Sequence, residues 1–202
     1  MTEDKHRVPR NGREGFSLLE VLSVTAVSMI LTMTALPDMI NSLGIMRLHS
    51  SMTSLAGVLQ NCRILAVKQN RAMTTHFMAK SYGSSSGVIA YVKLATDASS
   101  LDISDSQVQL EAPVTRVTAP SGPGAPPALD SSILSFTPQT GEPSFKPTGL
   151  PCAYSGGNCP NGGFIYYFHD TRLAGRTGWA ALSISPAGRL KKWYWNGSAW
   201  KD

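Results

Sequence analysis

The chain has 202 residues, a net charge of +5 and only 15% charged residues, with a pI near 9.2. That length allows one modest domain with appendages, and the mild positive charge excludes the dense Lys/Arg block of a dedicated nucleic-acid arm. Three cysteines are too few for a disulfide framework, and the plentiful Ser, Thr, Gly and Pro suit an exported strand-and-loop domain better than a helical cytosolic enzyme.

Residues 1–15 carry Lys5, Arg7, Arg10 and Arg13 against Glu3, Asp4 and Glu14. The apolar run that follows, residues 16–36, contains one charge, Glu20. As a helix this run reaches roughly 30 Å, the thickness of a bilayer's hydrocarbon core. Basic residues ahead of it predict a cytoplasmic N-terminus and an exported C-terminal part. A cleaved signal peptide needs a shorter core and a small-residue cleavage site, and "MTALP" offers Met33 where a small residue is wanted. A plain signal anchor fits the length but leaves Glu20 without a purpose, although a carboxylate at that depth costs about 2.5–3.5 kcal/mol or more.

The segment "GFSLLE", Gly15 to Glu20, resembles the cleavage and methylation signature of type IV pilins and of the pseudopilins of type II secretion. The resemblance implies that a prepilin peptidase cuts between Gly15 and Phe16, that Phe16 is then N-methylated, and that Glu20 pairs with the N-terminal amine of a neighbouring pilin or pseudopilin subunit. A carboxylate that meets a cation in lipid becomes tolerable and helps set subunit register. Pro37 matches a proline common in the N-terminal helices of this family, where it kinks the helix.

Beyond Pro37 the pattern becomes amphipathic. Leu48, Met52, Leu55, Leu59, Cys62 and Ala66 follow at steps of three and four, with Arg47, Ser51, Ser54, Gln60, Arg63 and Lys68 elsewhere around the helix. Gly44 and Gly57 weaken it by roughly 1 kcal/mol each relative to alanine. The organisation expected is therefore a leader at 1–15, a transmembrane and assembly helix at 16–37, its amphipathic continuation at 38–71, and a β-rich head at 72–202. The fold class is α+β: a long N-terminal hydrophobic helix packed on an antiparallel head.

Strands are expected at 74–79, 87–95, 107–117, 132–136, 164–169, 179–185 and 190–195. "SPAGRLKKW" carries a turn, and the Asn-Gly of "WNGSAW" should fold Trp200 back near Trp195. Residues 119–130 read as a mobile Pro/Gly loop. "LQNCRILAVKQNRAMTTHF", "SFTPQTGEP" and "WAALSISPAGRLKKW" are similar to segments of minor pseudopilins of the GspH/FimT group. That similarity implies a minor subunit at or near the tip of a filament, anchored in inner-membrane lipid with its head outside.

The chemistry of an enzyme is not legible. "GSSSG" at 83–87 satisfies G-x-S-x-G around Ser85, but it sits in a small-residue loop rather than at a strand-to-helix elbow. The four histidines are scattered, and no metal-ligand spacing or phosphate-cradling loop occurs. No catalytic residue, metal or cofactor is expected. Cys152 and Cys159 flank "AYSGGN", and in an oxidising compartment a disulfide would close that loop; free or metal-binding thiols are the alternative. Cys62 lies on the apolar stripe and reads as a buried small hydrophobe.

The basic C-terminal end leaves two readings. Arg189, Lys191 and Lys192, interleaved with Trp193, Tyr194, Trp195 and Trp200, could hold a phosphate backbone and stack on bases. Some FimT-type minor pilins take up DNA through a C-terminal Gly-Arg motif, and "GRLK" is similar to it, with Lys191 where a second arginine is expected. The other reading has Trp193 and Trp195 sharing a face against the helix while Lys192 points to solvent.

Overall fold

A computed structural model describes residues 17–82, 85–111, 113–173 and 178–202. The leader, Gly15, Phe16 and the first residues of "GSSSG" lie outside the described residues. The first element is a single helix, α1 (Leu18–Gln69). Among the described residues eleven strands follow: β1 (Met73–Tyr82), β2 (Ser85–Leu94), β3 (Ser106–Gln109), β4 (Val114–Val117), β5 (Pro138–Gln139), β6 (Ser144–Phe145), β7 (Pro151–Cys152), β8 (Gly163–Asp170), β9 (Trp179–Ile184), β10 (Leu190–Trp195) and β11 (Trp200–Lys201). This is the α+β class the sequence implies. An apolar N-terminal helix leading into an antiparallel β head is a pilin-like architecture.

The chain falls into two compact units, Met1–Ile40 and Asn41–Asp202. In the first, the described residues form helix only, and every one of them is exposed. Its hydroxyls turn inward to the backbone: Thr25 Oγ1 donates to the carbonyl of Leu22, Thr32 Oγ1 to that of Ser28 and Thr34 Oγ1 to that of Leu31, all at 2.7–3.0 Å. Such bonds satisfy the polar atoms of an otherwise apolar segment without water. Pro37 lies inside α1, which continues past it; its ring leaves the carbonyl four residues earlier without an amide partner.

The second unit is the head. One sheet has the order β3-β2-β1-β6-β7, and the other runs β11-β10-β9-β8-β4, with β5 on the same edge of β8 as β4. All pairings are antiparallel except β5 with β8. The helical stripe is fully buried: Met52, Leu55, Leu59, Cys62 and Ala66 are 0% exposed and Leu48 1%. It packs on Val88, Ala90 and Val92 from the first sheet and on Phe164, Tyr166, Phe168 and Leu182 from the second. Ser51 is also buried, where its Oγ accepts the Glu111 N–H at 3.1 Å. Gly44 has a packing reason too, because a Cβ there would lie 2.8 Å from Leu173 Cδ2. Nothing crowds Gly57.

Strand alternation gives the second sheet two buried faces. Even-numbered Phe164, Tyr166, Phe168, Ala180 and Leu182 face α1. Their odd-numbered neighbours Ile165, Tyr167, Trp179 and Ala181 join Trp193, Trp200, Leu129 and Leu134 in a second cluster. The loop at 119–130 is thereby corrected: rather than a free Pro/Gly loop, its second half is fastened over this face. The Tyr167 hydroxyl accepts the Leu129 N–H at 2.8 Å, and Trp200 Nε1 donates to the carbonyl of Pro127 at 2.7 Å.

Two strand expectations also change. Residues 107–117 form two short strands separated at 110–113, where Pro113 cannot donate to a ladder. Residues 132–136 form turns, since Asp130 Oδ1 accepts the N–H groups of Ser132 and Ile133 and curls the chain. The Asn-Gly hairpin forms as expected, with Trp195 paired to Trp200 and Asn196 Oδ1 capping the Ser198 and Ala199 amides. Leu59→Ala, at the centre of the seam, should cost about 2–5 kcal/mol in guanidinium unfolding. Met46→Ala, on the exposed side of the same helix, should cost less than about 0.5 kcal/mol.

Candidate functional site

The apolar part of α1 is the first candidate. Leu18, Leu19, Leu22, Ile30 and Met33 are each more than 60% exposed. A helix apolar all round has no stable place in water and takes lipid or other apolar helices as its surroundings. This helix is long and apolar enough to cross a membrane. Glu20 stands in its first turn, where the unpaired N–H groups of a helix start favour a negative charge. Gly15 and Phe16 precede the described residues.

The second candidate is the basic C-terminal hairpin, and the structure does not bring its three cations into one patch. Lys191 projects to the outer face, where Nζ lies 2.7 Å from Asp202 Oδ2 and 4.1 Å from the centre of the Trp193 ring. That bond is the main reason the Asp202 carboxyl titrates below its ordinary value. Lys192 projects to the opposite face and donates to Thr53 Oγ1 on α1 at 3.3 Å. Beside it, His49 of α1 stacks on Tyr194 with ring centres 3.7 Å apart; burial, then the nearby Lys192, lowers the His49 pKa. Arg189 stands at the β9–β10 turn and lines a groove beside α1, and its charge adds to that of Lys191 in lowering the Asp202 pKa. The alternative packing reading is corrected as well: Trp193 and Trp195 do share a face, but it is the face away from α1. Alternation fixed their parity, and only the outer layer at 125–136 decided which face met the helix.

Cys152 and Cys159 form a disulfide, with Cα atoms 5.1 Å apart. The bridged loop is a small hairpin in which Ser155 and Asn158 exchange both backbone hydrogen bonds, turned by Gly156 and Gly157 at φ 54° and 87°. Cys62 is buried, and burial pushes its thiol up to about 12 against the smaller opposite effect of a Thr75 hydrogen bond. It behaves as the hydrophobe expected. Among the described residues no cluster of His, Cys, Asp and Glu could hold a metal.

Two polar constellations were not legible in the sequence. Lys93, 9% exposed, donates to Asp102 Oδ2 at 2.6 Å and lies 3.8 Å from Asp105, tying β2 to the loop before β3. His76 Nδ1 donates to Glu142 Oε2 at 2.7 Å, and Glu142 Oε1 accepts the Phe77 N–H at 3.1 Å. These pair β1 with a segment over sixty residues later, and no local pattern signals such a contact. Desolvation raises the Glu142 pKa, but the His76 and Phe77 hydrogen bonds and the charges of His76 and Arg116 outweigh it and hold the carboxyl below its ordinary value.

No protein-family model, curated protein or solved structure matches the chain.

Because the Glu142 pKa is depressed in the fold, its contribution is complete above the unfolded carboxyl's value of 4.5 and is lost as pH falls through the folded value. The thermal midpoint of the natural chain should therefore fall more between pH 6 and pH 3 than that of Glu142→Gln. Opening the disulfide releases a short loop, for which the chain-entropy relation gives about 2–3 kcal/mol. Cys152→Ala/Cys159→Ala should accordingly melt about 5–10 °C lower in circular dichroism, and reductant should leave that variant unchanged.

Proposed function

We propose that the chain is a minor pilin or type II secretion pseudopilin of the GspH/FimT kind. It is inserted in the bacterial inner membrane as a precursor and cleaved between Gly15 and Phe16. It is then built into a pilus-like filament, at or near the tip, for protein secretion. The observation that carries the reading is an acid, Glu20, in the first turn of α1, whose apolar first part is exposed throughout its described residues, in the sequence "GFSLLE" that begins at Gly15. Lipid holds such a helix while the subunit waits, and neighbouring helices of the same kind replace lipid in the filament. During that exchange Glu20 finds the new N-terminal amine of a neighbour, neutralising two charges that each cost several kcal/mol alone.

In this reading the protein is not an enzyme; its work is mechanical and interactive. Its partners are the prepilin peptidase, other pilin-like subunits and inner-membrane lipid. Tip-located DNA binding for transformation, the other role considered, has less support, because Lys191 and Lys192 occupy opposite faces of β10 and Lys191 is paired with Asp202.

Mass spectrometry of the membrane-extracted chain tests the proposal. With an active prepilin peptidase the chain should begin at N-methylated Phe16, and Gly15→Leu should abolish the cut. Glu20→Ala should be cut normally yet enter filaments at least tenfold less. A chain still starting at Met1 beside active peptidase, or starting near residue 38, overturns the reading.

A further inference from the structure

Between α1, Phe145 of β6 and the end of the turn at 185–189 lies a groove of about 850 Å³. Its floor is apolar, made by Leu59, Phe145 and Leu190. On the helix side stand Ile64 and Val67, which are 62% and 52% exposed and lie outside the buried stripe, although their size would suit it. Three cations line the groove, Arg63, Lys68 and Arg189, and no carboxylate does. A neighbouring cavity of about 440 Å³, near the C-terminal end of α1, adds Arg71 and Lys146, again with no carboxylate.

The β9–β10 turn positions one of these cations. In the β9–β10 turn, the Gly188 N–H bonds the Ser185 carbonyl at 2.7 Å and the Arg189 N–H bonds Ser185 Oγ at 3.1 Å. Gly188 takes φ +82°, and a Cβ there would lie 3.3 Å from the Arg63 guanidinium. The glycine therefore admits Arg63, whose Nη1 lies 3.4 Å from the Gly188 carbonyl. That contact holds the guanidinium at the edge of the groove that Arg189 also lines.

We propose that this groove binds an acidic polypeptide segment whose aliphatic side chains alternate with carboxylates. Aliphatic groups would cover Ile64 and Val67 and reach the Leu190 floor, while carboxylates would meet the planar donor forks of Arg63 and Arg189 and the ammonium of Lys68. The apolar floor argues against a phosphate backbone. Nucleic-acid bases would need an accessible flat side chain, and the groove's one aromatic, Phe145, is 1% exposed. The inference uses residues 59–190 alone and does not depend on cleavage at Gly15 or on filament membership, so either proposal can fail without the other.

The test uses the full chain in phosphatidylcholine nanodiscs and fluorescence anisotropy with four labelled probes. These are a ten-residue peptide alternating Glu with Leu, its Gln-for-Glu and Ser-for-Leu counterparts, and a 20-base-pair DNA duplex. The Glu-Leu peptide should bind at least tenfold more tightly than either counterpart and lose affinity as salt rises. Ile64→Ser/Val67→Ser and Lys68→Glu/Arg189→Glu should each weaken it at least tenfold without lowering the melting temperature, all four side chains being solvent-exposed. Lys201→Ala, a cation away from the groove, should leave binding within twofold. Absence of Glu-Leu binding, equal binding of the Ser-for-Leu peptide, or preferential binding of the duplex through these same residues would each overturn the proposal.

Discussion

The head depends on one seam, the stripe of α1 from Leu48 to Ala66 against the inner faces of the two sheets. The sheet formed by β1, β2, β3, β6 and β7 and the one formed by β4, β5 and β8 to β11 share no strand pairing. Neither could bury both a helix-facing surface and its neighbour's edge alone. Filling the space between them with Met52, Leu55, Leu59 and Cys62, all at 0% exposure, is what makes a single core. The other features of the head are attached to this seam. Ser51 anchors the chain at Glu111, Lys192 reaches Thr53, and His49 lies flat on Tyr194. The outer cluster around Trp193 and Trp200 seals the far side of the second sheet against its own loop.

The same helix meets two environments, and its composition changes accordingly. Up to Leu43 every described residue is exposed and apolar side chains point in all directions, which suits a surrounding that is apolar on every side. From Gly44 onward one stripe of apolar residues is buried against protein, while others such as Met46, Ile64 and Val67 stay exposed beside it. Hydroxyls in the first part bond the helix's own carbonyls, whereas Ser51 in the second part bonds a distant loop. Glu20 is the one charge within residues 16–36. A carboxylate in lipid needs a cationic partner, and that need is the feature that turns an anchor into an assembly element in the proposed reading.

How much of this was legible in the sequence follows from the range of each interaction. The helix was readable almost to its last residue because its period is local, and the long strands β1, β2, β8, β9 and β10 were readable from β-branched and aromatic runs. Two-residue strands such as β5, β6 and β7 exist only because a partner pairs with them, so no local signal announces them. At β10 alternation correctly grouped Trp193 with Trp195, but the choice of face depended on the layer at 125–136, far away in sequence. The basic residues near the C-terminus looked like one patch in one dimension. In three dimensions the β pleat sends Lys191 and Lys192 to opposite faces and leaves Arg189 lining a groove with Arg63 and Lys68 of α1. Ile64 and Val67 were the available clue to that groove, being aliphatic residues beside the stripe rather than in it.

The central claim is that the uniformly apolar first part of α1 is surrounded by lipid before assembly. Single spin labels placed from residue 18 to residue 36 of the full chain in bilayer vesicles test it most directly, by comparing collision with oxygen, which enters lipid, and with a water-soluble nickel chelate. The account predicts high oxygen access and low chelate access across the interior of this segment, without a 3.6-residue period. A helical period in the profile, or chelate access through the interior of the segment, would mean that one face is held by protein or by water and would contradict it.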